Sequence, residues 1–75
     1  MERAERMEEA RAIHKALDSL PPEQLQVVTL AYYNGYSQSE IAQILEIPEG
    51  TVASRLYHAR HALKEALVSQ GVDYP

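Results

Sequence analysis

Ser37-Gln38-Ser39-Glu40-Ile41-Ala42-Gln43-Ile44-Leu45-Glu46-Ile47-Pro48-Glu49-Gly50-Thr51-Val52-Ala53-Ser54-Arg55-Leu56 carries two helices and the corner between them. Its first four residues have the form of a capping box. The Ser37 hydroxyl can accept from the amide three residues on, and the Glu40 carboxylate can reach back to the Ser37 amide. Ile41, Ala42, Ile44 and Leu45 then supply the apolar side of a short helix over 37–45. Glu46-Ile47-Pro48 is the turn. A longer helix over 48–69 follows, with Val52, Leu56, Ala59, Leu63 and Leu67 recurring on one face. Gly71 is placed to end it, and 71–75 is expected to be a frayed tail.

Upstream of this pair the same 3.6-residue period continues, and no strand-like alternation persists. Asn34-Gly35 is a helix stop, because glycine takes the left-handed conformation without steric cost. Leu25, Val28 and Tyr32 share a face before it, widened by Val27, Leu30 and Ala31, so a helix is expected over 22–34 with Tyr32 in the core. Pro21-Pro22 separates this helix from a first one over 3–19, since proline lacks the amide and disfavours helix in the residue before it. Pro22 also suits the first helical position, with Glu23 well placed for the dipole. The inward stripe of the first helix is Ala10, Ile13, Leu17 and Leu20. The expected architecture is all-α: a single four-helix domain over 1–75, ending in a helix-turn-helix without winged elements.

Size and composition narrow the function. A 75-residue chain buries only about 60% of its unfolded surface, which leaves no room for a deep catalytic cleft. With no cysteine, neither disulfides nor thiolate zinc can staple it, and packing alone must hold it. No apolar run approaches the roughly 20 residues of a membrane span, and Glu-Arg-Ala-Glu-Arg after Met1 is no signal-peptide core, so a cytoplasmic protein is expected. The net charge of −4 opposes a strong nucleic-acid binder, but the charges are segregated. Acids gather in Glu2, Glu5, Glu8, Glu9, Asp18 and Glu23. Between Thr51 and Lys64 every fully charged side chain is basic (Arg55, Arg60 and Lys64), with His58 and His61 interleaved.

A short capped helix, a tight turn and a longer helix match the helix-turn-helix that places its second helix in the DNA major groove. The residues that would face base edges are Thr51, Ala53, Ser54 and Arg55. They are mostly small or hydroxylic, and the arginine fork can span a guanine O6/N7 edge. Several other groups are candidates of a weaker kind. Arg60 and Lys64 lie beyond easy reach of base edges and are open to three roles: solvated charge, partner of the helix C-terminus, or phosphate ligand. His58 and His61 have a spacing that could share a metal, but no third ligand is evident, and no cofactor is expected. Their protonation would strengthen DNA binding below neutral pH. Tyr33 and Tyr36 are expected to be half-exposed and available to a protein. Glu40 is expected to cap its helix, because no second carboxylate or histidine accompanies it for acid–base work, and the chain is expected not to be an enzyme. The acids of the first helix alternate with Arg3, Arg6 and Arg11 at a spacing that suits solvated ion pairs.

Taken together, Leu20-Pro21-Pro22-Glu23-Gln24, Gly35-Tyr36-Ser37 with Glu40-Ile41-Ala42, and Pro48-Glu49-Gly50-Thr51-Val52 with Ser54-Arg55-Leu56 and Ala59-Arg60 resemble region 4 of bacterial sigma factors, closest to the extracytoplasmic-function group of the sigma-70 family. The resemblance covers 8–67. It implies a four-helix module that reads the upstream (minus-35) promoter element, docks on the β flap of RNA polymerase, binds an anti-sigma factor and works as a monomer. Position by position it implies DNA contacts at Thr51, Ser54, Arg55, Tyr57 and His58, and at the helix start Ser37, Gln38 and Ser39, whose amides can also hold a phosphate. Ala53 completes the groove-facing set. This chain departs from the family at Ala53 and His58, where Lys or Arg is frequent, so weaker and less salt-dependent DNA binding is expected. Glu46 stands where glycine is frequent before the turn. An alternative use is binding an anti-sigma factor without DNA.

Overall fold

The computed structural model describes Glu2–Gly71, with side chains from Met7 onward. Among these residues four α-helices run in order: α1 Glu2–Asp18, α2 Pro22–Val28, α3 Gln38–Leu45 and α4 Glu49–Ser69. No strand occurs among the described residues. The expected all-α class is therefore what the chain adopts. Of the tail expected over 71–75, residues 72–75 lie outside the described residues, as do the charged side chains of Glu2, Arg3, Glu5 and Arg6.

Each boundary has a local cause. α1 closes on Ser19, whose hydroxyl and amide both donate to the Ala16 carbonyl, at 2.6 and 3.2 Å. Pro22 opens α2, and the Pro21 carbonyl accepts from the amides of Gln24 and Leu25 at 3.0 Å each. Proline at that first position gives up an amide that no helical carbonyl could have satisfied. The second helix is not α-helical to its end. From Thr29 to Tyr33 it widens into a π-helical turn, closed by Asn34 N–H donating to Thr29 at 3.1 Å. Gly35 then takes φ 77°, and the Tyr36 amide returns to the Leu30 carbonyl at 3.0 Å.

The core gathers where α2, α3 and the first half of α4 meet. Leu20, Val27, Val28, Ile41, Val52, Leu56 and Ala59 form one cluster, with Leu25, Leu30, Leu45, Ile47 and Leu63 packed around it. Val27, Ile41, Val52 and Leu56 are 0–1% exposed. Each such aliphatic side chain contributes about 1.5–3 kcal/mol on leaving water.

Two sequence expectations fail at the margins of this core. Ile13 is 49% exposed and Ala10 is exposed, while Ala16, not assigned to the stripe, is buried at 1%. α1 packs on α4, but α4 has already ended at this height, where the Gln70 side-chain Nε2 donates to the Ala12 carbonyl at 3.0 Å. Ile13 has too little opposite it to be covered. Tyr32 is 59% exposed instead of buried. Tyr32 lies within the π-helical turn, where the widened backbone breaks the 3.6-residue spacing that would align it with Leu25 and Val28. Its hydroxyl also needs a polar partner that the apolar cluster lacks, and it finds one at the surface in Arg60.

Candidate nucleic-acid interface

The helix-turn-helix is built by local chemistry at both ends of its corner. At the start of α3 the Glu40 amide donates to Ser37 Oγ at 3.1 Å, and the Ser37 amide donates to Glu40 Oε1 at 2.9 Å. Both arms of the expected capping box are made. The Ser37 amide, and after it the Ser37 hydroxyl, hold the Glu40 carboxyl below the usual carboxylate range. The box also changes what the helix start offers a phosphate. It uses the amides of Ser37 and Glu40, leaving those of Gln38 and Ser39 without an intrachain acceptor. It also places a carboxylate beside them, which makes this a poorer anion site than a bare helix start.

Glu46 ends α3 in the left-handed conformation, φ 56° and ψ 46°, with its amide bonded to the Ala42 carbonyl. Among the described residues it is the one non-glycine with positive φ, at a cost of about 1–2 kcal/mol. Pro48 follows in an extended conformation, and its carbonyl accepts from the amides of Thr51 and Val52 at 3.0 and 3.3 Å. The turn thereby drives Val52 and Leu56 into the core and fixes which side of α4 faces out.

On that outward side Ala53, Ser54, Tyr57, His58 and His61 are all exposed. Thr51 and Arg55 are half-buried and sit along one margin of the buried face, so the arginine fork reaches outward from the edge of the strip and not from its middle. Ser37, Gln38 and Ser39 are exposed at the start of α3, which packs directly on α4. The Tyr57 ring is bracketed by two imidazoles. His58 meets it edge-on, with centroids 5.5 Å apart and planes at 72°. His61 stacks on it at 6.5 Å and 10°. His61 Nε2 also lies 3.3 Å from Glu65 Oε1, the only contact within 4 Å between a basic and an acidic side chain among the described residues. From Gly50 to Lys64 the strip carries no carboxylate. Among the described residues no cluster of three or more His, Asp or Glu side chains is placed to hold a metal.

Two features of the site were not read from the sequence. The stacking of His61 on Tyr57 follows from their four-residue spacing, which helix geometry could have supplied. The pairing of Tyr32 with Arg60 joins residues 28 apart, and no local signal announces it.

Residues 10–63 match the family model described as sigma-70, region 4. Over 67 residues the chain is 37% identical to the RNA polymerase sigma-H factor of Pseudomonas aeruginosa, an alignment covering 88% of this chain and 35% of that protein. It is 45% identical over 60 residues to the ECF RNA polymerase sigma factor SigL of Mycobacterium tuberculosis, covering 80% of this chain and 34% of the relative. With the ECF RNA polymerase sigma-E factor of Escherichia coli the identity is 42% over 57 residues, covering 75% and 30%. The chain thus spans about a third of the length of the curated relatives it matches. A helix-turn-helix with an outward strip free of acids, in a chain whose family match spans its three helix junctions, belongs to the sigma-70 family as a region 4 domain.

Proposed function

We propose that this domain directs transcription initiation by reading the upstream (minus-35) promoter element with the first half of α4 and docking on the β flap of the RNA polymerase core. The observation that carries the reading is the exposed, carboxylate-free strip of Ala53, Ser54, Tyr57 and His58, with Thr51 and Arg55 along its edge. Small residues let the helix approach the groove floor, and the arginine supplies a bidentate fork for guanine. Ser37, Gln38 and Ser39 meet the backbone beside the groove and set the register.

The acidic body has a place in this scheme. A domain with a net charge of −4 and one fully cationic side chain at the strip's edge binds DNA weakly alone, and attachment to polymerase supplies the missing affinity. It acts in the cytoplasm as a monomer, because one helix-turn-helix tethered to polymerase needs no palindrome. An anti-sigma factor covering the same strip would switch it off. Binding such a partner without ever using DNA is the competing use, favoured by Ala53 and His58 standing where basic residues would add affinity.

Arg55→Ala separates the two. Promoter reading predicts that the variant, folded by circular dichroism, loses about tenfold to a hundredfold in duplex affinity by fluorescence anisotropy, as for one bidentate base contact. A variant that binds duplex as tightly as the parent chain removes Arg55 from the readout, and with it the reading proposed here.

A further inference from the structure

Arg60 and Tyr32 are joined in two ways. The Arg60 Nε–H donates to the Tyr32 hydroxyl, and the guanidinium carbon lies 5.5 Å from the centroid of the same ring. Tyr32 sits on the π-helical turn that closes the second helix, and Arg60 sits on α4 between His58 and His61. Arg55 and Arg60 are five residues apart, about 140° around the helix, so they leave α4 on opposite sides. Arg55 is on the open edge of the strip. Arg60 is turned back across the body of the domain, toward α2.

We infer that Arg60 is a positioning residue and not a phosphate ligand: clasped to Tyr32, it fixes the rotation of α4 about its own axis and so aims the strip of Ser54, Tyr57 and His58 at the groove. The core sets that rotation at Val52 and Leu56 but thins toward Arg60. Ala59, the buried residue beside Arg60, is small, and the neighbouring Ala62 and Leu63 are only partly buried. A guanidinium that bonds the hydroxyl and lies 5.5 Å from the ring centroid resists rolling, because rolling α4 would break the hydrogen bond and carry the cation away from the ring together. Helix widening of the π kind is often found at functional sites. Here it occurs at the turn that carries the clasp.

The inference rests on the promoter reading for its consequence but not for the clasp itself, and the test treats them separately. Without DNA, Tyr32→Phe, Arg60→Lys and the double variant are compared by urea denaturation. A clasp predicts non-additive changes, the double variant losing no more than the worse single one. Additive losses would overturn it. With a duplex that the parent chain binds, both single variants should weaken binding by the same factor, on the order of twofold to fivefold, the worth of an exposed cation–π contact. The slope of log affinity against log salt should not change. A phosphate ligand behaves otherwise: Arg60→Lys keeps the affinity, Tyr32→Phe is silent, and Arg60→Gln lowers the salt slope by about one. That pattern would overturn the positioning role. Should the parent chain bind no duplex at all, the promoter reading fails while the denaturation cycle still decides the clasp.

Discussion

The two ends of this 44 Å molecule are built to different standards. Where α2, α3 and the start of α4 meet, four aliphatic side chains are 0–1% exposed and helix ends are capped by hydrogen bonds. Where α1 runs beside the end of α4, Ala16 and Leu67 are buried outside the main cluster, and Met7, Ile13 and Val68 are about half exposed. The well-packed end lies behind the strip proposed to face DNA. A recognition helix must hold several side chains in register at once, and close packing behind it prevents the drift that would blur the register. The looser end carries no proposed contact and tolerates exposure.

The sharpest way to break this contrast is truncation at matched positions on one helix. Leu56→Ala should cost near the upper end of the 2–5 kcal/mol typical of buried leucine, about 4 kcal/mol. Leu67→Ala should cost nearer 2 kcal/mol, because its surroundings are open to water and leave less of a void. Urea denaturation reads both. Equal losses, or a larger one for Leu67, would show that the ends are energetically alike.

Glu46 is the one place where the well-packed end is strained. Glu46→Gly should remove the left-handed penalty, offset in part by glycine's greater freedom when unfolded, for a net gain of up to about 1 kcal/mol in the same assay. A loss would mean that the Glu46 side chain makes a compensating contact. The smallest effect concerns Glu40. Its carboxyl titrates lower when folded than when unfolded, because the Ser37 amide stabilises the charged form. That contribution is fully present above the ordinary carboxylate value of 4.5 and is lost as pH falls through the lower folded value. Glu40→Gln should flatten the acid limb of the stability profile, and an unchanged limb would show that the capping bond adds nothing in solution.

How far the sequence reveals each end follows from where the signals lie. The helix-turn-helix is written in short-range chemistry: the Ser37–Glu40 box, Gly35 before it and Pro48 at the corner each act within four residues. The buried face of α4 was legible for the same reason, since Val52, Leu56, Ala59 and Leu67 keep strict helical spacing. The exposure of Ile13 was not legible, because periodicity gives the direction of a face but not where its partner helix ends. Tyr32 was misplaced because an aromatic at the margin of an apolar face suits the core by spacing, while the Arg60 that draws it out is 28 residues away. The π-helical turn has no local signature among Thr29–Tyr33. The proposed site residues were placed by motif, and the structure adds that Thr51 and Arg55 are marginal to a strip centred on Ser54, Tyr57 and His61.

The central claim is that the first half of α4 reads promoter sequence, and selection from a randomised duplex pool tests it most directly. The chain and its Arg55→Ala variant are each incubated with the pool at low salt, and bound duplexes are amplified over several rounds and sequenced. The account predicts that the parent chain enriches a short element containing guanine. Affinity for that element should fall with rising salt, and the variant should not enrich it. A pool that stays random with the parent chain, or the same element recovered by both proteins, would contradict it.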